Sequence, residues 1–173
     1  MSRVLPHVDV VVGNEEDASD VLGIEAKGTS VEAGVINAKA YEDVARTICG
    51  RFDSVQKVAI TLRQSISASH NNWGAMLYDR AAETAHLAPL DAAGNYTPFE
   101  IRNIVDRVGG GDSFAGGLIY ALMSQEYSDP ETALRFAVAT SCLKHSILGD
   151  WIYLGKDEVV SLMRGQTSGR VRR

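Results

Sequence analysis

Apolar positions along this chain fall into short, nearly continuous runs separated by longer stretches with helical spacing, the pattern of buried strands alternating with covering helices. "VDVVV", Val8 to Val12, is such a run and ends at Gly13. It reads as a parallel strand buried on both faces. "NEEDASDVLG" then supplies an Asn cap, an acidic first turn and a terminating Gly23, and the spacing from about Val31 to Cys49 predicts a longer helix. Strand character returns over Lys57 to Leu62, "KVAITL". From Ile66 to Leu90, β-formers alternate with turn residues, which predicts a short antiparallel meander. "IRNIVD", ending at Asp106, reads as a final strand, and the text turns helical from Gly109 to about Gln125. A further helix is punctuated by Asp129 as cap and Pro130 at its first position, and a last one is predicted from about Lys156 to Met163. The expectation is an α/β layered fold, with helices flanking a largely parallel sheet, in one domain over residues 1–173. A buried-type strand arrives almost at once, with no earlier βα unit to supply its neighbours. A missing segment in front is therefore expected.

Composition narrows the classes. With 173 residues and 45% apolar content the chain can bury one sizeable core. The net charge of −5 and the lack of a Lys/Arg stripe argue against a nucleic-acid partner. The terminal "GRVRR" reads as a solvated tail. Cys49 and Cys142 stand far apart, and His7, His70, His86 and His145 form no closely spaced pair, so neither a zinc site nor a disulfide framework is indicated. A reducing, cytoplasmic setting fits this usage. No apolar run approaches the roughly 18 residues of a membrane span.

The chemistry concentrates in "NIVDRVGGGDSFAGGLIYAL", residues 103–122. A helix opening near Gly111 directs unpaired N–H groups and the positive end of its dipole at one spot, which attracts anions. Gly109, Gly110 and Gly111 suit a phosphate cradle. A fixed carboxylate at Asp112 would repel that anion, unless it serves phosphoryl transfer by positioning an acceptor hydroxyl and taking its proton. The alternative is a tight connection followed by an ordinary first-turn acid. The run fits neither GxGxxG nor GxxxxGK[ST], so the Rossmann and P-loop readings fail. Ala115, Gly116 and Gly117 are expected to let the helix lie close to the sheet.

"DRVGGGDSFAGGLI" closely resembles the C-terminal signature of the ribokinase-like, PfkB-type carbohydrate kinases, and only the C-terminal half of a typical member is matched. The resemblance implies Asp112 as catalytic base, Gly109 to Gly111 as anion hole, and Asp106 near the nucleotide phosphates. "NEED" resembles the family's Asn-x-x-Glu motif, implying that Asn14 and Asp17 help to hold Mg²⁺ and phosphate, largely through water. Here Asp17 stands in place of the usual Glu, and Asn14 with its acidic followers is equally a plain helix start. "AITLRQSISASHNNWGAML" occupies the place of the nucleotide-contacting strand, with Thr61 and Arg63 as candidates; Arg63 either clamps a phosphate or faces solvent. "ATSCLKHSILGD" implies Ser141, Lys144 and His145 at the nucleotide rim, His145 being equally a helix C-terminal cap.

The wording is most similar to the 2-keto-3-deoxygluconate kinases. The resemblance thus implies ATP and Mg²⁺ as cofactors and a small sugar acid as acceptor, with a fructose- or ribose-type sugar as the alternative. The sugar-binding half and lid are expected to be absent. A rival reading is a truncated, non-catalytic module that binds nucleotide or pairs with a second copy.

Overall fold

Strand β2 (Lys57–Ser67) divides the molecule, because its alternate side chains enter two different cores. Val58, Ile60 and Leu62 face one cluster; Ala59 faces the other. The computed structural model describes residues 1–24 and 38–165. In chain order these form β1 (Val10–Asn14), α1 (Glu15–Leu22), α2 (Ala38–Arg51), β2, β3 (His70–Asp79), β4 (Thr84–Ala88), β5 (Phe99–Arg102), α3 (Gly110–Met123), α4 (Pro130–Lys144) and α5 (Lys156–Met163), after a short 3₁₀ turn at Leu5–His7. The start of the helix expected from Val31, and the "GRVRR" tail, lie outside the described residues.

The sheet is mixed, in the order β1-β2-β3-β4, with β5 also on β3. β1 and β2 are parallel, aligning Val10 with Lys57 and Asn14 with Thr61. The other pairs are antiparallel. The meander is larger than the sequence pattern suggests because β2 runs on past Leu62 to Ser67 before its hairpin with β3. On one face, α1 buries Ala18 and α2 buries Tyr41, Val44 and Ile48 in the cluster that holds Val58, Ile60 and Met76. On the other, Phe114, Leu118 and Leu134 of α3 and α4 bury against Ala59, Ala75 and Leu77. Each such large apolar side chain, fully removed from water, contributes about 1.5–3 kcal/mol.

Helix ends follow their local chemistry. Asp129 accepts the Thr132 amide at 3.0 Å with Pro130 in the first turn, and Gly23 closes α1 at φ 65°. Two boundaries differ from expectation. β1 starts two residues late: Val8 caps the 3₁₀ turn, its amide donating to the Leu5 carbonyl, and pairing with β2 begins at Val10. β5 stops at Arg102, since Asn103 adopts φ 58° in the left-handed region and breaks the strand, so residues 103–109 form a loop. The small residues of α3 also serve a different contact from the one expected. Gly117 lies against α4, where a Cβ would come within 2.9 Å of Thr140 Oγ1 and 3.2 Å of Ala137 Cα, while Gly116 faces open space. The close approach is helix on helix.

Candidate active site

The loop entering α3 is fixed by three neighbouring segments. The His145 carbonyl accepts the amides of Val105 at 2.9 Å and Asp106 at 3.4 Å. Asp106 returns the contact: its Oδ2 accepts the Gly149 amide at 2.8 Å and its Oδ1 the Val108 amide at 3.0 Å. Those two amides, Val108 first, hold the Asp106 carboxyl below the usual carboxylate range. The guanidinium of Arg107 donates to the carbonyls of Ser67 at 2.7 Å and Ala68 at 2.9 Å and to Asn71 Oδ1 at 3.1 Å. The glycine loop is thereby tied to the β2–β3 hairpin as well as to the segment after α4.

The three glycines do different things. Gly109 sits at φ 77°, and a Cβ there would meet the Asp150 carbonyl oxygen, so both conformation and space require glycine. Gly110 opens α3 over the ring of His145, and its amide donates to the Arg107 carbonyl at 3.3 Å. Gly111 is exposed, and a Cβ at that position meets nothing within 4 Å. Among the described residues no partner accepts the amides of Gly111 and Asp112, the orphan donors of a helix start. The amides of this run left without a partner among the described residues are thus those of Gly109, Gly111 and Asp112, while that of Gly110 is engaged. Asp112 is exposed and lines an open cleft of about 430 Å³ with Tyr120, Thr140, Asp150, Trp151 and Lys156.

The rim expected at Ser141, Lys144 and His145 is instead interior packing, because α4 presents these positions to the sheet and to the turn that follows it. All three are buried. Ser141 Oγ accepts the Trp73 indole N–H at 2.6 Å, and Lys144 Nζ donates to the Ile147 carbonyl at 3.0 Å. His145 is the C-cap residue of α4; its Nδ1 donates to the Ser141 carbonyl at 2.7 Å, which fixes the tautomer, and its ring meets Trp73 edge to face at 5.0 Å. Burial pushes the imidazole below its ordinary pKa, the Ser141 carbonyl opposes this, and Lys144, Arg107 and Arg63 push it further down. Arg63 is itself exposed on β2, opposite Trp73. Arg63 and Arg107 therefore place positive charge beside the glycine loop.

Asn14 and Asp17 form a reciprocal cap at α1: the Asn14 side chain accepts the Asp17 amide at 2.9 Å and Asp17 Oδ2 the Asn14 amide at 2.8 Å. Thr61 stands beside Asn14 across the parallel pair, at the C-terminal end of β1. Asn14 and Asp17 line a second cavity, along β1, and not the Asp112 cleft. Among the described residues no three His, Cys, Asp or Glu side chains converge as a metal cage. Sequence reasoning missed Arg107, Asp150 and Trp151. Arg107 is visible inside the motif, but its partners are some 36 to 40 residues away, beyond any local pattern. Burial makes both thiols poor nucleophiles, with Cys142 pushed up to about 12.

Residues 1–149 match the pfkB family carbohydrate kinase profile. The chain belongs to the pfkB family of carbohydrate kinases. Its fold superposes on the 2-dehydro-3-deoxygluconokinase of Thermotoga maritima with a TM-score of 0.79 and 38% identity, over 94% of this chain and 43% of that one. The 2-dehydro-3-deoxygalactonokinase of Haloferax volcanii is 26% identical over 166 residues, 96% of this chain and 41% of the relative. Ribokinase from Giardia lamblia shares the fold at a TM-score of 0.61 and 20% identity. This pfkB-family chain thus spans well under half the length of the relatives it matches. Among its described residues no helix is long and apolar enough to cross a membrane.

Proposed function

We propose that this chain is the nucleotide-binding half of a kinase that transfers the γ-phosphate of ATP to a hydroxyl of 2-keto-3-deoxygluconate or a closely related sugar acid. The observation that carries the reading is the exposed Asp112 carboxylate, in a cleft beside the unpaired amides of Gly111 and Asp112 at the mouth of α3. Asp112 orients the acceptor hydroxyl and takes its proton as the new O–P bond forms. The bond from phosphorus to the bridging oxygen breaks, and its electron pair leaves with ADP. The α3 amides meet the charge on the moving phosphoryl oxygens without reorganising, since the loop behind them is already fixed. Arg63, whose positive charge reaches His145 beside the glycine loop, is the residue assigned to neutralise the triphosphate in this reading. The amide and carboxylate oxygens of Asn14 and Asp17 are hard donors that suit Mg²⁺, and their mutual cap leaves contact through water as the mode of holding it. When bound, Mg²⁺ supplies neutralisation of phosphate charge.

The sugar acid rests on the names of the relatives, and the sugar-binding side of the reaction falls to polypeptide beyond this chain. Catalysis requires a positioned acceptor, so the chain alone is expected to turn over poorly. Calorimetry with Mg·ATP on wild type and Asp112→Asn tests the reading. Both proteins should bind nucleotide; no binding by either would make the chain a non-catalytic module. With a complementing sugar-binding half, Asp112→Asn should lower turnover by about 10²- to 10⁴-fold, with 2-keto-3-deoxygluconate assayed beside fructose and ribose.

A further inference from the structure

The phosphate-binding groups in the reading above sit on two different elements, Arg63 on β2 and the unpaired amides of Gly111 and Asp112 at the mouth of α3. Residues 103–109, which lead into α3, form a loop that passes through the left-handed region at Asn103 and again at Gly109. Such a loop gives up much conformational freedom on folding, so its position must come from its contacts. On one side the His145 carbonyl holds the amides of Val105 and Asp106. On the other the Ile104 amide donates to the Ser69 carbonyl at 3.1 Å, and Arg107 is the loop side chain that hydrogen-bonds to the hairpin. One guanidinium nitrogen, Nη2, gathers three oxygens there: the carbonyls of Ser67 and Ala68 and Oδ1 of Asn71. Asn71 is 0% exposed, on β3 opposite Ser65 of β2, which gives the guanidinium a fixed seat. The Nδ2 of Asn71 has no partner, so among the described residues the bond from Arg107 is the one its side chain makes. At the other end of the same residue, the Arg107 carbonyl accepts the Gly110 amide at 3.3 Å, and the Ser113 amide closes the first turn on the Gly109 carbonyl at 2.9 Å. Arg107 thus touches the hairpin with its side chain and the first residue of α3 with its main chain.

We propose that Arg107 is a positioning residue for phosphate binding, a latch that holds the mouth of α3 at a fixed distance from the β2–β3 hairpin, so that the α3 amides and Arg63 meet one polyphosphate together. The ligand rests on the kinase reading; the latch rests on the contacts of Arg107. The chemistry suits the task, because a guanidinium stays charged and its planar fork keeps its orientation. Without it, the two hairpin carbonyls can turn to water, whereas the buried Oδ1 of Asn71 is left without a donor. The loop would still be held through His145 and Gly149, so the fold should survive while the helix mouth loses its fix on the β2 side. Direct contact of Arg107 with phosphate is the competing account. The two differ over Asn71, which matters only to a latch.

The test compares wild type with Arg107→Gln and Asn71→Leu, singly and together, by Mg·ATP calorimetry and by residue-resolved amide hydrogen exchange, well below the melting temperatures. Asn71→Leu keeps the buried volume, and Asn71→Ala replaces it if leucine prevents folding. Each folded single variant should exchange faster at the amides of Val108, Gly110 and Ser113 and bind Mg·ATP roughly tenfold more weakly. The double variant should bind no more weakly than the weaker single one, since both changes remove the same contact. Arg107→Lys, which offers one nitrogen to the same oxygens, should recover part of the affinity. Weakened binding in Arg107→Gln with undiminished binding in the Asn71 variant would make Arg107 a direct phosphate ligand and overturn the latch. Lowered melting temperatures with unchanged affinity and exchange would overturn it too, leaving Arg107 a structural contact. Nucleotide binding by wild type that neither single variant weakens sinks the latch and leaves the kinase reading standing. Faster exchange at the three amides in both variants, in a protein whose wild type binds no Mg·ATP, supports the latch and sinks the kinase reading.

Discussion

His145 supports Gly110 from beneath: a Cβ built on Gly110 would lie 3.4 Å from His145 Cε1 and 3.7 Å from Nε2. The cap residue of α4 is thus a floor for the first residue of α3, and its carbonyl also holds Val105 and Asp106. Protonating that ring would put a cation into a buried site beside Lys144, Arg107 and Arg63.

Stability should therefore fall on mild acidification. The folded-state pKa of His145 lies below its ordinary 6.5, so below that pH the unfolded chain binds a proton that the folded chain refuses. The contribution is complete above 6.5 and is lost as pH drops from there toward the folded-state value. Urea melts of wild type and His145→Gln across pH 7.5 to 5 should show a decline in wild type that the variant lacks. Parallel pH profiles would rule out His145 as the cause.

Gly109 and Gly111 should respond oppositely to alanine. Gly109→Ala meets both φ 77° and the Asp150 carbonyl, and should destabilise by roughly 2 kcal/mol or more. Gly111→Ala finds open space and should fold with near wild-type stability while weakening Mg·ATP binding, because its methyl group enters the space in front of the free amides. Thermal melts and calorimetry on the two variants check the contrast.

The adjacent pair Gly116 and Gly117 gives a second contrast. Gly116→Ala adds a methyl group to an exposed helical position with nothing near it and should stabilise by about 0.5–1 kcal/mol. Gly117→Ala presses on Thr140 and Ala137 and should cost about 1–3 kcal/mol. Equal shifts in the two urea midpoints would contradict the helix contact.

The legible parts of the fold were those set by neighbours in sequence. Asp129 with Pro130 marked the start of α4, and the bounds of α5 fell where Lys156 and Met163 suggested. The glycine run at a helix mouth, with Asp112 exposed just inside it, was likewise readable from spacing. What stayed hidden depends on contacts distant in sequence. Nothing near Ser141 or Lys144 signals that Trp73 and the turn at Ile147 enclose them. Nor does the small-residue stretch at 115–117 tell whether a helix or a sheet lies opposite. Asn14 and Asp17 satisfied each other's amides, an outcome their spacing permits as readily as metal support.

The alternation along β2 makes the two cores interlock through a single strand, with consequences for how this gene can change length. Deleting Ala59, for example, would send Ile60 and Leu62 into the α3/α4 side and Thr61 to the α2 side, scrambling both interiors together. Losses in pairs would keep the facing of the chain beyond them. Tolerance for single-residue length variation should accordingly gather at the Ser67–His70 hairpin tip and at the loop between β4 and β5, and be lacking in the β2 interior.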